Sequence, residues 1–284
     1  IRLILTDPAS APSNGRNSPL PSKNTATWQS TINELRMHRL TPLTGYTMRS
    51  LGIDHKIPAP VAATLAEDYR KTLLANSLLM RTLRELLAAL AKAGIQPIIL
   101  KGSLLATIYY PDTGTRPLGD VDLLVRPEES SVIQQTFTSM GFVMHGNPET
   151  EDAIYYRNDQ GMSFDIHYRF MLFPPEIRDQ ISEEVTITDL GELPVKHWEP
   201  NAQLVHLLVH LLGHRQDSGF MLGWLLDLAF VVRHEGARLC PDRIKSLMPD
   251  PKQEEMLWKA LGFLSDHGDI VIPESLQSSV ASVR

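Results

Sequence analysis

The chain has 284 residues, 43% of them hydrophobic and 21% charged, which is a globular composition with room for one large domain or two ordinary ones. Its net charge of -6 disfavours broad nucleic-acid binding, which rests on Lys and Arg neutralising phosphates, but leaves room for a local basic pocket. A single cysteine, Cys240, excludes an internal disulfide, and no apolar run of about 18 residues is present to span a membrane, so a cytoplasmic protein is expected.

The chain opens on Ile1 rather than Met, which leaves room for residues upstream, and the apolar stretch Ile1 to Leu5 is too short for a secretory signal. Asp7 to Thr27 is rich in Pro, Ser, Asn and Ala and reads as a linker. From Trp28 to about Leu51 the residues Ile32, Leu35 and Leu40 suggest a helix ending near Pro42. Val61 to Ala93 reads as one or two long helices, with Leu65, Tyr69, Leu73, Asn76, Leu79 and Leu83 at three- and four-residue steps and Gly94 as the stop.

The texture then changes. Gln96 to Leu100 is a short apolar run typical of a buried strand, and Ser103 to Tyr110 reads as a helix beginning at a Gly-Ser turn. Asp120 to Val125 alternates acid and apolar and reads as a strand. Val132 to Met140 suggests a helix closed by Gly141, and Phe142 to His145, Ala153 to Arg157 and Met162 to Phe170 suggest strands. After Pro174 and Pro175 helices are expected to dominate, at Asn201 to Gly213, Phe220 to Glu235 and about Gln253 to His267.

The chemistry concentrates in Leu100-Lys101-Gly102-Ser103 and Gly119-Asp120-Val121-Asp122. Asp120 and Asp122, two apart on a strand, leave the same face at about 6–7 Å along the chain, and repel unless a cation lies near. Such hard oxygen ligands suit Mg²⁺, or Mn²⁺. A third acid on another strand would complete the set, and Asp165, alternating with Phe164 and Ile166, is the candidate. Gly102 permits close approach to a phosphate, helix N-terminal amides favour anions, and the Ser103 hydroxyl adds a hydrogen bond.

Gly102-Ser103 followed by Asp120-x-Asp122 and a later strand acid resembles the signature of the DNA polymerase β-like nucleotidyltransferase superfamily. The longer strings Ile99-Leu-Lys-Gly-Ser-Leu-Leu-Ala, Tyr110-Pro111 and Arg116-Pro-Leu-Gly-Asp-Val-Asp-Leu-Leu-Val resemble its bacterial "uncharacterised nucleotidyltransferase" family, from about Trp28 to about Glu235. Further resemblances are Asn76, the Asp165-x-His167 strand, and the His-rich helix followed by Trp224 and Asp227. One departure is the long spacing from Ser103 to Asp120, whose extra loop carries Arg116.

The resemblance implies an α+β fold: a small mixed-sheet nucleotidyltransferase palm at 94–175, a segment and linker at 1–27, and helical regions at 28–93 and 176–284. It implies transfer of a nucleoside monophosphate from a nucleoside triphosphate, ATP foremost, with pyrophosphate leaving. Asp120 and Asp122 would bind metal, Asp165 would bind metal or accept the acceptor's proton, and Ser103 would hold phosphate. The acceptor would be a small molecule, peptide or protein; the absence of a basic tract argues against nucleic acid.

Several residues keep two readings. Lys101 binds phosphate or is solvated at a strand end, and Arg116 binds phosphate or pairs with an acid. His167 packs or hydrogen-bonds, or acts as a general base, and it shares a face with Asp165, where it can steady a metal ligand. His206, His210 and His214 form one stripe, either ligating metal as His at i and i+4 can, or lining the pocket and bonding an acid such as Asp227. Trp224 and Cys240 are read as structural. Two other functions share the same residues: a phosphotransferase releasing a nucleoside diphosphate, and a degenerate nucleotide- or partner-binding module without catalysis.

Overall fold

The computed structural model describes residues 25–169, 173–190, 193–213, 221–268 and 270–283. The opening segment to residue 24, Phe170 and His214 lie outside them. Two helices, α1 (Thr25–Met37) and α2 (Thr41–Ser50), replace the single one expected before Leu51. Pro42 does not end a helix; it sits in the first turn of α2, where its missing N–H costs nothing. Next comes α3 (Ala59–Lys92), one unbroken helix of 34 residues that buries Leu65, Leu79, Leu83, Leu86 and Leu90 along one stripe. Gly94, with φ of 79°, turns the chain out of it.

The α/β unit follows with β1 (Ile98–Leu100), α4 (Lys101–Ile108), β2 (Val121–Leu124), α5 (Ser130–Ser139), β3 (Val143–His145), β4 (Ala153–Arg157) and β5 (Ser163–His167). After α6 (Pro175–Glu183) comes a hairpin absent from the sequence expectation, β6 (Val185–Leu190) and β7 (Leu193–Trp198). All seven strands form one sheet in the order β3-β4-β5-β2-β1-β7-β6. The β2–β5 and β1–β7 pairs are parallel and the others antiparallel, so the sheet is mixed. The sheet therefore extends beyond residue 175, into the stretch expected to be helical.

The period-2 alternation gives the sheet two distinct faces. Ile99, Val121, Leu123, Phe164, Ile166 and Val195 point to one side and join a core with α3 and with Ile133 and Phe137 of α5. Leu100 and Trp198 point to the other, into a second core built with the C-terminal helices. Those helices are α7 (Pro200–Gly213), α8 (Leu222–Glu235), α9 (Pro241–Leu247), α10 (Pro251–Gly268) and α11 (Glu274–Ala281). No helix among the described residues is long and apolar enough to cross a membrane. The acids Asp122 and Asp165 share the second face, so they lie where the sheet meets the C-terminal helices.

Candidate active site

Strand register brings the carboxylates together. In the parallel β2–β5 ladder Asp122 is the direct partner of Asp165, and in the antiparallel β1–β2 ladder Leu100 is the partner of Asp122. Asp120 stands one residue before β2, at the same end of the sheet. Burial raises the Asp120 carboxyl above its ordinary range, and the neighbouring Asp122 charge adds to this, while Lys101, Arg39 and Arg116 pull the other way. The Asp165 carboxyl is pushed up to about 6, first by burial and then by the charges of Asp120 and Asp122. The three acids are thus one electrostatic cluster.

Asp122 is different because it already has a cation. Lys101 follows Leu100, the cross-strand partner of Asp122, and its Nζ lies 2.7 Å from Asp122 Oδ1. His167 Nε2 reaches the same oxygen at 3.1 Å. Burial alone would raise this carboxyl, but the His167 hydrogen bond and the Lys101 charge outweigh it and hold it well below the ordinary range. Lys101 carries a left-handed backbone, φ 45°, which a side-chain-bearing residue adopts only when its surroundings enforce it. The solvated reading of Lys101 is thereby corrected: it is 13% exposed and ion-paired.

The helix α4 starts at Lys101, two residues before the position expected, so Gly102 and Ser103 form its first turn. Ser103 Oγ is buried and, among the described residues, has no hydrogen-bond partner. Gly102 is closely packed: a Cβ there would lie 2.7 Å from Arg116 Nη1 and 3.1 Å from Leu118 Cδ2, so a side chain would have to displace the Arg116 guanidinium. Arg116 Nε and Nη2 donate to the two Asp227 oxygens, each at 2.8 Å, and Tyr110 OH donates to Asp227 at 2.7 Å. Arg116 therefore pairs with an acid, as one of its two readings had it, while its Nη1 lies against Gly102. Asn76 pins the loop from the other side. Its Nδ2 donates to the carbonyls of Thr113 and Arg116, and its Oδ1 accepts from the Leu118 N–H at 3.3 Å.

The histidine stripe lies against the same site. His206 stands edge-on to Trp198 with ring centroids 4.5 Å apart, and His210 stands edge-on to Trp224 at 5.4 Å. Burial, and then the charges of Lys101 and His210, keep the His206 imidazole neutral, far below its ordinary range. Asp227 is bonded to Arg116 and Tyr110, and His214, the last member of the stripe, lies outside the described residues. Sequence reasoning missed Arg39, whose backbone is also left-handed at φ 59° and whose charge acts on Asp120. A lone Arg in an ordinary helix connection carried no signal.

The model of the family described as "Uncharacterised nucleotidyltransferase" matches residues 24–267. The chain belongs to that family. A solved structure, an antigenic nucleotidyltransferase-like protein from Paracoccidioides brasiliensis, is similar at 17% identity over 72% of this chain and 92% of that one, with a TM-score of 0.44. No curated protein matches the chain. In this nucleotidyltransferase the acids, the buried serine and the glycine-tight helix start share one end of the sheet. Among the described residues no group of three His, Cys, Asp or Glu side chains is gathered closely enough to hold a metal ion as it stands.

Proposed function

We propose that this nucleotidyltransferase works as members of the DNA polymerase β-like superfamily do, moving a nucleoside monophosphate from a triphosphate, ATP foremost, to a hydroxyl-bearing acceptor. The observation that carries this is the direct pairing of Asp122 with Asp165, with Asp120 in the same electrostatic cluster, next to a helix start whose buried Ser103 Oγ lacks a partner. The acceptor oxygen forms a bond to the α-phosphorus, the bridging α–β bond breaks, and pyrophosphate leaves. The α4 amides and Ser103 hold the departing phosphates. Asp165 either accepts the acceptor's proton or joins the ligands of a cation.

The donor set suits Mg²⁺ or Mn²⁺ in kind: three carboxylates, two of them raised first by burial and then by neighbouring acid charge that a cation would offset. Asp120, Asp122 and Asp165 would hold it, and it would supply charge neutralisation at the triphosphate. Lys101 supplies part of that charge in the protein alone. On cation binding it is free to turn to a phosphate, which retains the phosphate-binding reading of this residue.

A second reading is a nucleotide- or partner-binding module without catalysis, favoured by the Lys101 ammonium already seated on Asp122. One experiment separates the two. Each labelled triphosphate is incubated with the protein, Mg²⁺ and cell extract as acceptor source. Transfer gives pyrophosphate and a labelled product. A nucleoside diphosphate instead would mean phosphotransfer. A thermal shift with triphosphate but no product would mean binding alone, and no shift with any of the four common triphosphates at millimolar concentration would refute the nucleotide site.

A further inference from the structure

Two rows of paired residues cross the functional face of the sheet. One is the carboxylate row, Leu100–Asp122–Asp165. The next, two residues along each strand and so about 6–7 Å away, is Ile187–Lys196–Ile98–Leu124–His167. The phosphate-facing start of α4 lies at one end of β1, beyond the carboxylate row. At the other end, beyond the second row, lies a cavity of about 990 Å³. Ile98, Leu124, Ile187 and Lys196 line it from the sheet, and Asp179 and Ser182 line it from α6. It opens to solvent past Ile187, which is 62% exposed. A volume of this order matches small-molecule sites, which run from roughly 300 to 1,000 Å³.

The charges around the cavity mostly cancel. Arg126 is held by Glu129 at 2.6 Å and Arg169 lies 3.5 Å from Asp152. Helix α6 contributes one charge of each sign, Arg178 and Asp179. Lys196 is the exception. It is half-buried on a floor whose cross-strand neighbours are Ile98 and Ile187, and it has no ion pair among the described residues. An ammonium group on an apolar floor selects an anion attached to an apolar body.

We propose that this cavity is the acceptor subsite, and that the acceptor is a small hydroxyl-bearing molecule with an apolar body and one carboxylate or phosphate that pairs with Lys196. The proposal rests on the nucleotidyl-transfer reading. It adds that acceptor and triphosphate approach the carboxylate row from opposite ends of one sheet face. That arrangement sets the attacking oxygen and the departing pyrophosphate on opposite sides of the phosphorus, as in-line displacement requires.

The test uses the full chain and 1-anilinonaphthalene-8-sulfonate, an apolar anion whose fluorescence rises on binding. The wild type binds it saturably, Lys196→Ala weakens binding about tenfold as one lost ion pair would, and Leu124→Trp, which puts an indole on the cavity floor beside Ile98, weakens it as well. Displacement by 4-hydroxybenzoate identifies a carboxylate-preferring site and displacement by glycerol 3-phosphate a phosphate-preferring one; neutral 4-hydroxybenzyl alcohol displaces neither probe nor anion. No binding to the wild type, unchanged binding in both variants, displacement by neither anion, or equal displacement by the neutral alcohol would each overturn the proposal. The Mg²⁺–ATP thermal shift of the same three proteins is read separately. Its absence from the wild type counts against nucleotidyl transfer, while its retention in the variants shows that they are folded.

Discussion

Replacing Asp165 by Asn should make the protein more stable, and only above a definite pH. The Asp165 carboxyl titrates near 6 against an ordinary 3.8, so ionising it in the folded state is unfavourable. A raised carboxyl leaves stability intact below the unfolded value and erodes it as pH climbs through the folded value. The loss therefore accumulates between about pH 4 and pH 6.5 and is complete at pH 8. Two pH units are worth about 3 kcal/mol at most. Asp165 is partly exposed, so solvent screening lowers that to about 1–2 kcal/mol. For a chain of this size the gain is about 2–6 °C in melting temperature. Urea and thermal denaturation of wild type and Asp165→Asn at pH 8 and pH 4.5 measure it. The variant should gain at pH 8, and the difference should shrink to roughly a third of that at pH 4.5, where the unfolded carboxyl is already mostly ionised. Millimolar Mg²⁺ should narrow the gap by stabilising the wild type. A loss at pH 8, or a gain of equal size at both pH values, would refute a carboxyl at Asp165 raised by burial and by its acid neighbours.

Asp122→Asn should move stability the opposite way, losing about 3 kcal/mol in urea denaturation at neutral pH, because it strands the Lys101 ammonium; a gain matching that of Asp165→Asn would contradict this. The contribution of Asp122 is present above the unfolded carboxylate value and fades only as pH falls well below it. Ser103→Ala should leave the melting temperature unchanged, since its hydroxyl is unpartnered, but weaken Mg²⁺–ATP binding about ten- to a hundredfold by calorimetry. Asp227→Ala should cost about 3–5 kcal/mol by leaving Arg116 unpaired, and the triphosphate thermal shift should shrink with it because Arg116 packs against Gly102.

Much of the fold was legible where periodicity was clean. The three- and four-residue leucine steps gave α3, and the alternation of Asp120 to Val125 gave β2 to within a residue at each end. The hairpin Val185–Trp198 carried the same period-2 signal in Val-Thr-Ile-Thr-Asp-Leu and Leu-Pro-Val-Lys-His-Trp. It was overlooked because Pro194 demotes a strand and strong helical segments follow. Strand spacing put Asp122 and Asp165 on one face, and the β2–β5 register pairs them directly. What holds them was not legible. The Lys101–Asp122 contact depends on a left-handed backbone, and the Arg116–Asp227 pair joins residues 111 positions apart. No local pattern encodes either.

The position of β7 beside β1 bears on how the molecule can be divided. The central strand β1 is flanked by β2, which comes later in the palm segment, and by β7, from beyond Pro175. A fragment ending at residue 175 would remove the partner of Ile98 and leave β1 as a bare edge, with unsatisfied N–H and C=O groups beside the apolar Ile98 and Leu100. Such edges recruit other chains, so this fragment should form aggregates rather than a minimal catalytic unit. The C-terminal helices are consequently not a cassette that could be exchanged between relatives at that boundary. The earliest cut that keeps the sheet whole falls after Trp198, and even there the face bearing Leu100 and Trp198 would be stripped of its apolar cover.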